Sequence, residues 1–214
     1  DQGHVPYGPR PMEQIQSFSE GITHFLLEQN SKIIVVACNT ASAAALKYLR
    51  QTFPKVQFVG MEPAVKPAAE KTQTGKVGVL ATPATFQGAL YANGVELFQN
   101  TCNGLVQQIE MGNLEGDETR KILESALHPM LEKNIDTVVL GCTHYPFVIP
   151  LIESVVGDKV RVIDPAPAVA KQVKRLLEAG EALNQNEQLG SMRFMTSGDV
   201  EVVKSSLKIL LQIE

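Results

Sequence analysis

Short β-branched, apolar runs alternate in this chain with stretches whose apolar positions recur at helical spacing, and no other feature constrains the fold so strongly. Strand, helix and strand in succession make the unit of a parallel sheet covered by helices. Residues 12–29 place Ile15, Phe18, Ile22, Phe25 and Leu26 at helical spacing. Residues 32–37 predict a buried strand, 41–52 an Ala- and Leu-rich helix, and 56–60 a brief strand ending at Met61–Glu62–Pro63. The pattern continues with a strand over 77–81, a helix over 85–98, a strand over 105–110 and a helix over 116–133, whose acidic start suits the helix dipole. A strand over 137–140 leads to a helix over 145–156 that Gly157 stops. A strand over 160–163, a helix over 166–179, a polar loop over 180–190, a strand over 192–196 and a helix over 200–211 complete the chain. The fold class is therefore α/β.

Two of these units resemble each other. KIIVVACNTASAAAL and IDTVVLGCTHYPFVI both run strand, Cys, Thr, helix, with Cys38 and Cys142 standing 104 positions apart. Ligands of open α/β sheets bind beyond the carboxyl ends of the strands, where the next helix presents unpaired N–H groups. A thiol there gains from a helix N-terminus that favours the thiolate, and the same N–H groups hold a carboxylate. Asn39, Thr40 and Thr143 are short polar side chains suited to capping and to binding the ends of an amino acid. A lone cysteine at a strand end is more often packing than chemistry. Two in matching contexts shift that balance, whereas Cys102 lacks the context and reads as structural. A protonated thiol and a thiolate facing one carbon suit removal of a proton from one face and its return to the other. The spacings fit neither a zinc site nor a CxxC redox pair.

Composition narrows the partners. A net charge of −4 over 214 residues leaves no basic face to account for, so no nucleic acid is expected. No run approaches the roughly 20 apolar residues of a membrane span. Three cysteines make no disulfide framework, and a reducing cytoplasm is the expected setting.

At the residues around these cysteines the sequence resembles the glutamate racemase family, within the aspartate/glutamate racemase superfamily. Ala37–Cys38–Asn39–Thr40–Ala41–Ser42–Ala43 and Gly141–Cys142–Thr143–His144–Tyr145–Pro146 match its two signature blocks, and Pro6–Tyr7–Gly8 its substrate loop. Met61–Glu62–Pro63–Ala64, Ala81–Thr82–Pro83–Ala84–Thr85, Ile109–Glu110–Met111–Gly112 and Phe194–Met195–Thr196–Ser197–Gly198–Asp199 follow the family's order, so the likeness covers essentially the whole chain. The resemblance implies interconversion of L- and D-glutamate without pyridoxal phosphate or metal, supplying D-glutamate for peptidoglycan. It implies that Cys38 works on the D enantiomer and Cys142 on the L enantiomer, with Glu110 and His144 assisting on the Cys142 side. Tyr7, Gly8, Asn39, Thr40, Thr82, Thr85, Thr143 and His144 are the implied substrate-binding residues. Without the motif His144 would read equally well as a capping or packing histidine, and Glu110 as a solvated surface acid.

The implied architecture is two similar open, mainly parallel-sheet α/β domains with the active site in the cleft between them. Residues 1–62 with 166–214 would form the first and 63–165 the second, and a homodimer is expected. In the family a strand and a glycine-rich turn with an Asp–Ser pair precede the Pro–Tyr–Gly loop. This sequence opens instead on the turn-rich DQGHVPYGPRP, and a polypeptide without that segment is expected to racemise poorly. An aspartate or hydantoin racemase, or a related decarboxylase, would share the scaffold. The full GCTHYP block favours glutamate, and a decarboxylase protonating from one face would not need both thiols. A protein that binds glutamate without turning it over is the alternative from another class.

Overall fold

In the computed structural model, which describes residues 1–86, 94–185 and 190–211, the alternation folds into two parallel sheets. The smaller pairs β1 (Ile33–Val36) with β2 (Gln57–Gly60). The larger is built from β3 (Lys76–Ala81), β4 (Glu96–Asn100), β5 (Thr137–Gly141) and β6 (Arg161–Ile163), in the order β4-β3-β5-β6. Helices α1 (Met12–Glu28), α2 (Asn39–Thr52) and α3 (Val65–Lys71) precede β3, and the short α4 (Pro83–Phe86) follows it. Next come α5 (Leu105–Glu110), α6 (Asp117–Leu131), α7 (Ile149–Val156), α8 (Ala166–Ala179) and α9 (Val200–Leu211). Among the described residues no helix is long and apolar enough to cross a membrane.

The central strands of the larger sheet are buried for a reason visible in their composition. β5 is buried at every position, as a strand covered on both faces must be. Val139 joins Val65, Ala68, Val77 and Val79 on the α3 side. Val138 and Leu140 point the other way, onto Leu105, Ile109, Leu123, Leu127 and Ile152 of α5, α6 and α7. Each such side chain contributes about 1.5–3 kcal/mol by leaving water. The smaller sheet has its own core, in which Ile34 and Phe58 meet Ile15 of α1 and Ala45, Leu46 and Leu49 of α2. α8 packs on β1 and β2, whereas Leu210 of α9 lies against the larger core.

Several expected elements need correction, among them β1, expected as a buried strand, which leaves Val35 38% exposed. Residues 105–110 form α5, not a strand: Gly104 turns the chain at φ +89, and Leu105 and Ile109 are buried one helical turn apart. The helix expected over 85–98 is α4 at its start and β4 at its end, and residues 87–93 lie outside the described residues. β4 is an edge strand with no fully buried position, so its sequence carries little strand signal. Residues 192–196 join no sheet, and α3 was not expected. The expected 180–190 loop is without helix or strand where described, and 186–189 lie outside the described residues.

Asp136 holds the start of β5 to the turn before β3. Its carboxylate accepts the Thr72 hydroxyl at 2.6 Å and the Gln73 and Thr74 amides at 2.6 and 3.0 Å. Burial alone would raise its pKa, but these bonds and the Thr137 hydroxyl outweigh that and lower it to about 2. A depressed carboxylate contributes stability that is full above the unfolded pKa near 4 and is lost as pH falls toward 2. Discounted for solvent screening, Asp136→Asn should cost about 1 kcal/mol at pH 7. Urea unfolding should show the gap from wild type closing between pH 4 and pH 2.

Candidate active site

Cys38 follows β1 in extended backbone, at φ −152 and ψ 123, and is itself the N-cap of α2. Its sulfur accepts the Ala41 amide at 3.5 Å. The capping role expected of Asn39 and Thr40 thus belongs to the thiol, and both residues sit buried in the first helical turn. Among the described residues neither the amide oxygen nor the amide nitrogen of Asn39 has a hydrogen-bond partner. A buried polar group left so costs about 1–3 kcal/mol, and a ligand offering both a donor and an acceptor would remove that cost. The Thr40 hydroxyl lies 2.8 Å from that of Thr82, which follows β3.

Cys142 occupies the same place after β5, with 8% of its surface exposed. It is followed by a 3-10 turn over Tyr145–Val148 before α7, not directly by the α-helix expected. The backbone N–H groups of His144 and Tyr145 favour its thiolate, and that of Tyr145 donates to the Cys142 carbonyl at 3.2 Å. His144 Nδ1 stands 3.7 Å from the thiol, and its Nε2 is 3.2 Å from Glu110 Oε1. An acceptor at Nε2 favours the proton there and leaves the Nδ1 lone pair for the thiol. Glu110 reaches this position because it ends α5, which packs on the 3-10 turn.

One cavity of about 770 Å³ joins the two thiols, within the size range of small-molecule sites. Tyr7, Gly8, Asn39, Thr40 and Thr82 line it together with Cys38; Glu110, Thr143 and His144 line it with Cys142. Thr85 is not on the wall: it is 2% exposed, and its hydroxyl stands 3.1 Å behind that of Thr82. Sequence reasoning overlooked Asp1, which lines the cavity and whose carboxylate accepts the Tyr7 hydroxyl at 2.6 Å. Cys102 also borders the cavity although it is 3% exposed. Its isolated context gave no signal for that. Among the described residues no group of three or more His, Cys, Asp or Glu is arranged to hold a metal ion.

Burial dominates the thiols. It pushes Cys142 up to about 12, with nearby Cys38 adding and the His144 and Tyr145 amides opposing. Cys102 is likewise pushed up to about 12, first by burial and then by Cys142. Burial raises Cys38 too, against the Ala41 and Thr40 amides and the Thr40 hydroxyl. Tyr7 is raised by burial and then by the Cys38 charge, with Arg10 opposing. Burial therefore favours the neutral thiols, opposed at Cys38 and Cys142 by nearby backbone N–H groups.

Known proteins of similar sequence and shape agree with one another. The profile of the Asp/Glu/Hydantoin racemase family matches residues 2–173. The chain is 48% identical to the glutamate racemase of Pseudomonas aeruginosa (strain UCBPP-PA14), across 98% of this chain and 82% of that protein. Its structure is similar to that of a Bacillus anthracis glutamate racemase, with a TM-score of 0.89 and 30% identity over 100% of this chain and 83% of the other. It is also similar to the Francisella tularensis glutamate racemase solved in complex with D-glutamate, with a TM-score of 0.86 and 29% identity over 100% and 82%. The chain belongs to the Asp/Glu/Hydantoin racemase family and is an isomerase.

Proposed function

We propose that this isomerase interconverts L- and D-glutamate by proton transfer between two thiols and the substrate Cα. The observation that carries the reading is that Cys38 and Cys142, each at the carboxyl end of a strand from a different sheet, line one cavity. In the step from L-glutamate, the Cys142 thiolate takes the Cα proton, so that C–H breaks and S–H forms. The Cys38 S–H then breaks as its proton reaches the other face of Cα. The reverse direction exchanges the two roles, as a two-base reaction requires.

The remaining residues have work consistent with this. The N–H groups at the start of α2 and of the 3-10 turn stabilise an α-carboxylate as charge develops on it. The Asn39 amide, without a partner among the described residues, and the hydroxyls of Thr40, Thr82 and Thr143 orient the substrate's polar ends. Tyr7 and Gly8 close the cavity from the N-terminal loop. His144, held by Glu110, accepts and returns the Cys142 proton. The same reading divides the chain into residues 1–62 with 166–214 and residues 63–165; the packing of α8 on the smaller sheet supports it, while α9 reaches across to the larger core. Supply of D-glutamate for peptidoglycan follows from the activity proposed.

Isotope exchange tests the proposal. L-glutamate incubated with the protein in D2O should gain deuterium at Cα and yield D-glutamate that carries deuterium from its first appearance. Glutamate binding without any incorporation would instead identify a binding protein on the racemase scaffold.

A further inference from the structure

Ile15 of α1 is buried in the core of the smaller sheet, but Phe18, nearly one helical turn on, is only half-buried and faces the N-terminal loop. Three residues of that loop gather around its ring. The His4 ring stacks on it with centroids 4.0 Å apart. The Arg10 guanidinium carbon lies 5.4 Å from its centroid, and the Tyr7 ring packs beside it at 6.1 Å. The same three residues are tied to one another. Arg10 Nε donates to the His4 carbonyl at 2.7 Å, and the Arg10 amide donates to the Tyr7 carbonyl at 3.0 Å. The Asp1 carboxylate accepts the Tyr7 hydroxyl and stands 2.8 Å from His4 Nδ1. Tyr7 and Gly8 line the cavity; Phe18 does not.

We infer that Phe18 is a positioning residue whose ring clamps the N-terminal loop and so holds Tyr7 and Gly8 against the cavity. The inference rests on the two-thiol reading for its effect on turnover, but not for its effect on the loop. Residues 5–11 contain no helix or strand, so side-chain contacts must fix where Tyr7 and Gly8 stand. An aromatic ring suits both of its closest neighbours here. A stacked ring pair gains beyond the area it buries, and a guanidinium is drawn to the electron-rich face of a ring. An aliphatic side chain would offer the loop apolar contact and neither of these. The Ser197 hydroxyl, which donates to Asp1 at 2.6 Å, anchors the start of the loop separately. Losing the ring therefore loosens the stretch around Tyr7 without unseating the whole loop. Substrate then binds only the fraction of molecules with the loop in place, and apparent affinity falls by that fraction. Once substrate is bound the loop is back in position, so the proton transfers proceed as before. Both enantiomers meet the same loop and share the effect.

The test compares Phe18→Leu, which keeps an apolar side chain and loses the ring, with Phe18→Tyr, which keeps the ring. In Phe18→Leu the KM for both L- and D-glutamate should rise about fivefold to tenfold, with kcat within about twofold of wild type, the pattern of lost uniform binding. Phe18→Tyr should match wild type. A second readout needs no turnover: iodoacetamide alkylation of Cys38, which shares the cavity wall with Tyr7, is followed at one fixed pH by mass spectrometry. It should run roughly twofold to fivefold faster in Phe18→Leu, because the loosened loop leaves the cavity open for longer. Should Phe18→Leu fail to fold, Arg10→Met removes the cation from the ring face with Phe18 intact, and should move KM and alkylation the same way by smaller factors. Wild-type KM and wild-type alkylation in Phe18→Leu overturn the inference. So does a loss confined to kcat, or a Phe18→Tyr protein as impaired as Phe18→Leu. Absence of Cα exchange in the wild-type protein would sink the racemase reading, while the alkylation rates would still decide the role of Phe18.

Discussion

Cys38→Ser and Cys142→Ser should each lower racemisation in both directions by at least about 10²- to 10⁴-fold, the usual weight of a positioned acid or base. A serine hydroxyl preserves the size of the group but ionises far above a thiol, so the variant loses a base from one side and an acid from the same side in reverse. The loss should therefore be symmetric in direction, because every turnover uses both sulfurs. Hydrogen exchange should be asymmetric. A lone Cys142 thiolate can take the proton of L-glutamate, exchange it with solvent and return it to the same face. The Cys38→Ser protein should therefore wash deuterium into L-glutamate without making the D enantiomer, and Cys142→Ser should do so only with D-glutamate. Two-way activity in either single variant would refute the two-base assignment. Exchange of the opposite enantiomer would swap the roles of the two thiols. The neighbouring Cys102 separates location from function, since it borders the cavity and is pushed to about 12 by burial, yet among the described residues the hydrogen-bonded histidine–carboxylate pair contacts Cys142 and not Cys102. Cys102→Ala should leave turnover within about threefold of wild type, which is the control that ties the large losses to the two strand-end thiols.

The two strand-end cysteines were legible because β1 and β5 are continuous β-branched, apolar runs, and such runs in a parallel sheet point to a ligand at their carboxyl ends. That His144 and Tyr7 share the cavity was legible only through motif resemblance, because local spacing says nothing about two distant loops meeting. The helix α5 was misread because Leu105, Val106 and Ile109 make a short apolar run, which periodicity alone cannot assign. The Gly104 turn and the packing of α5 on the 3-10 turn decide it in the structure. That packing is also what gives Glu110 its reach to His144. Thr85 marks the opposite limit: it lies three residues after Thr82, on the short helix α4 that follows, and only the tertiary fold places one hydroxyl on the cavity wall and the other behind it.

Gly141→Ala should damage both stability and turnover, because the residue before Cys142 sits where two strands press together. Gly141 pairs with Ala81 across β5 and β3. A Cβ at Gly141 would lie 2.6 Å from the Ala81 Cβ, 3.1 Å from the Leu80 carbonyl oxygen and 3.2 Å from Pro63 Cγ. None of these is the far end of a flexible side chain, so β5 itself must shift. Overpacking of this kind costs about 1–3 kcal/mol, and it moves the backbone that aims the Cys142 sulfur. A displacement near 1 Å at a reacting group can cost about 10²-fold in rate, so activity should fall further than stability alone would predict. Ala81→Gly removes the closest of the three contacts, and the double variant should recover most of the lost stability in urea unfolding. Its activity should recover as well, leaving only the milder contacts with Leu80 and Pro63. Wild-type stability and rate in Gly141→Ala would show that β5 yields without moving Cys142. A double variant no better than the single one would place the strain elsewhere than at the β3–β5 pairing.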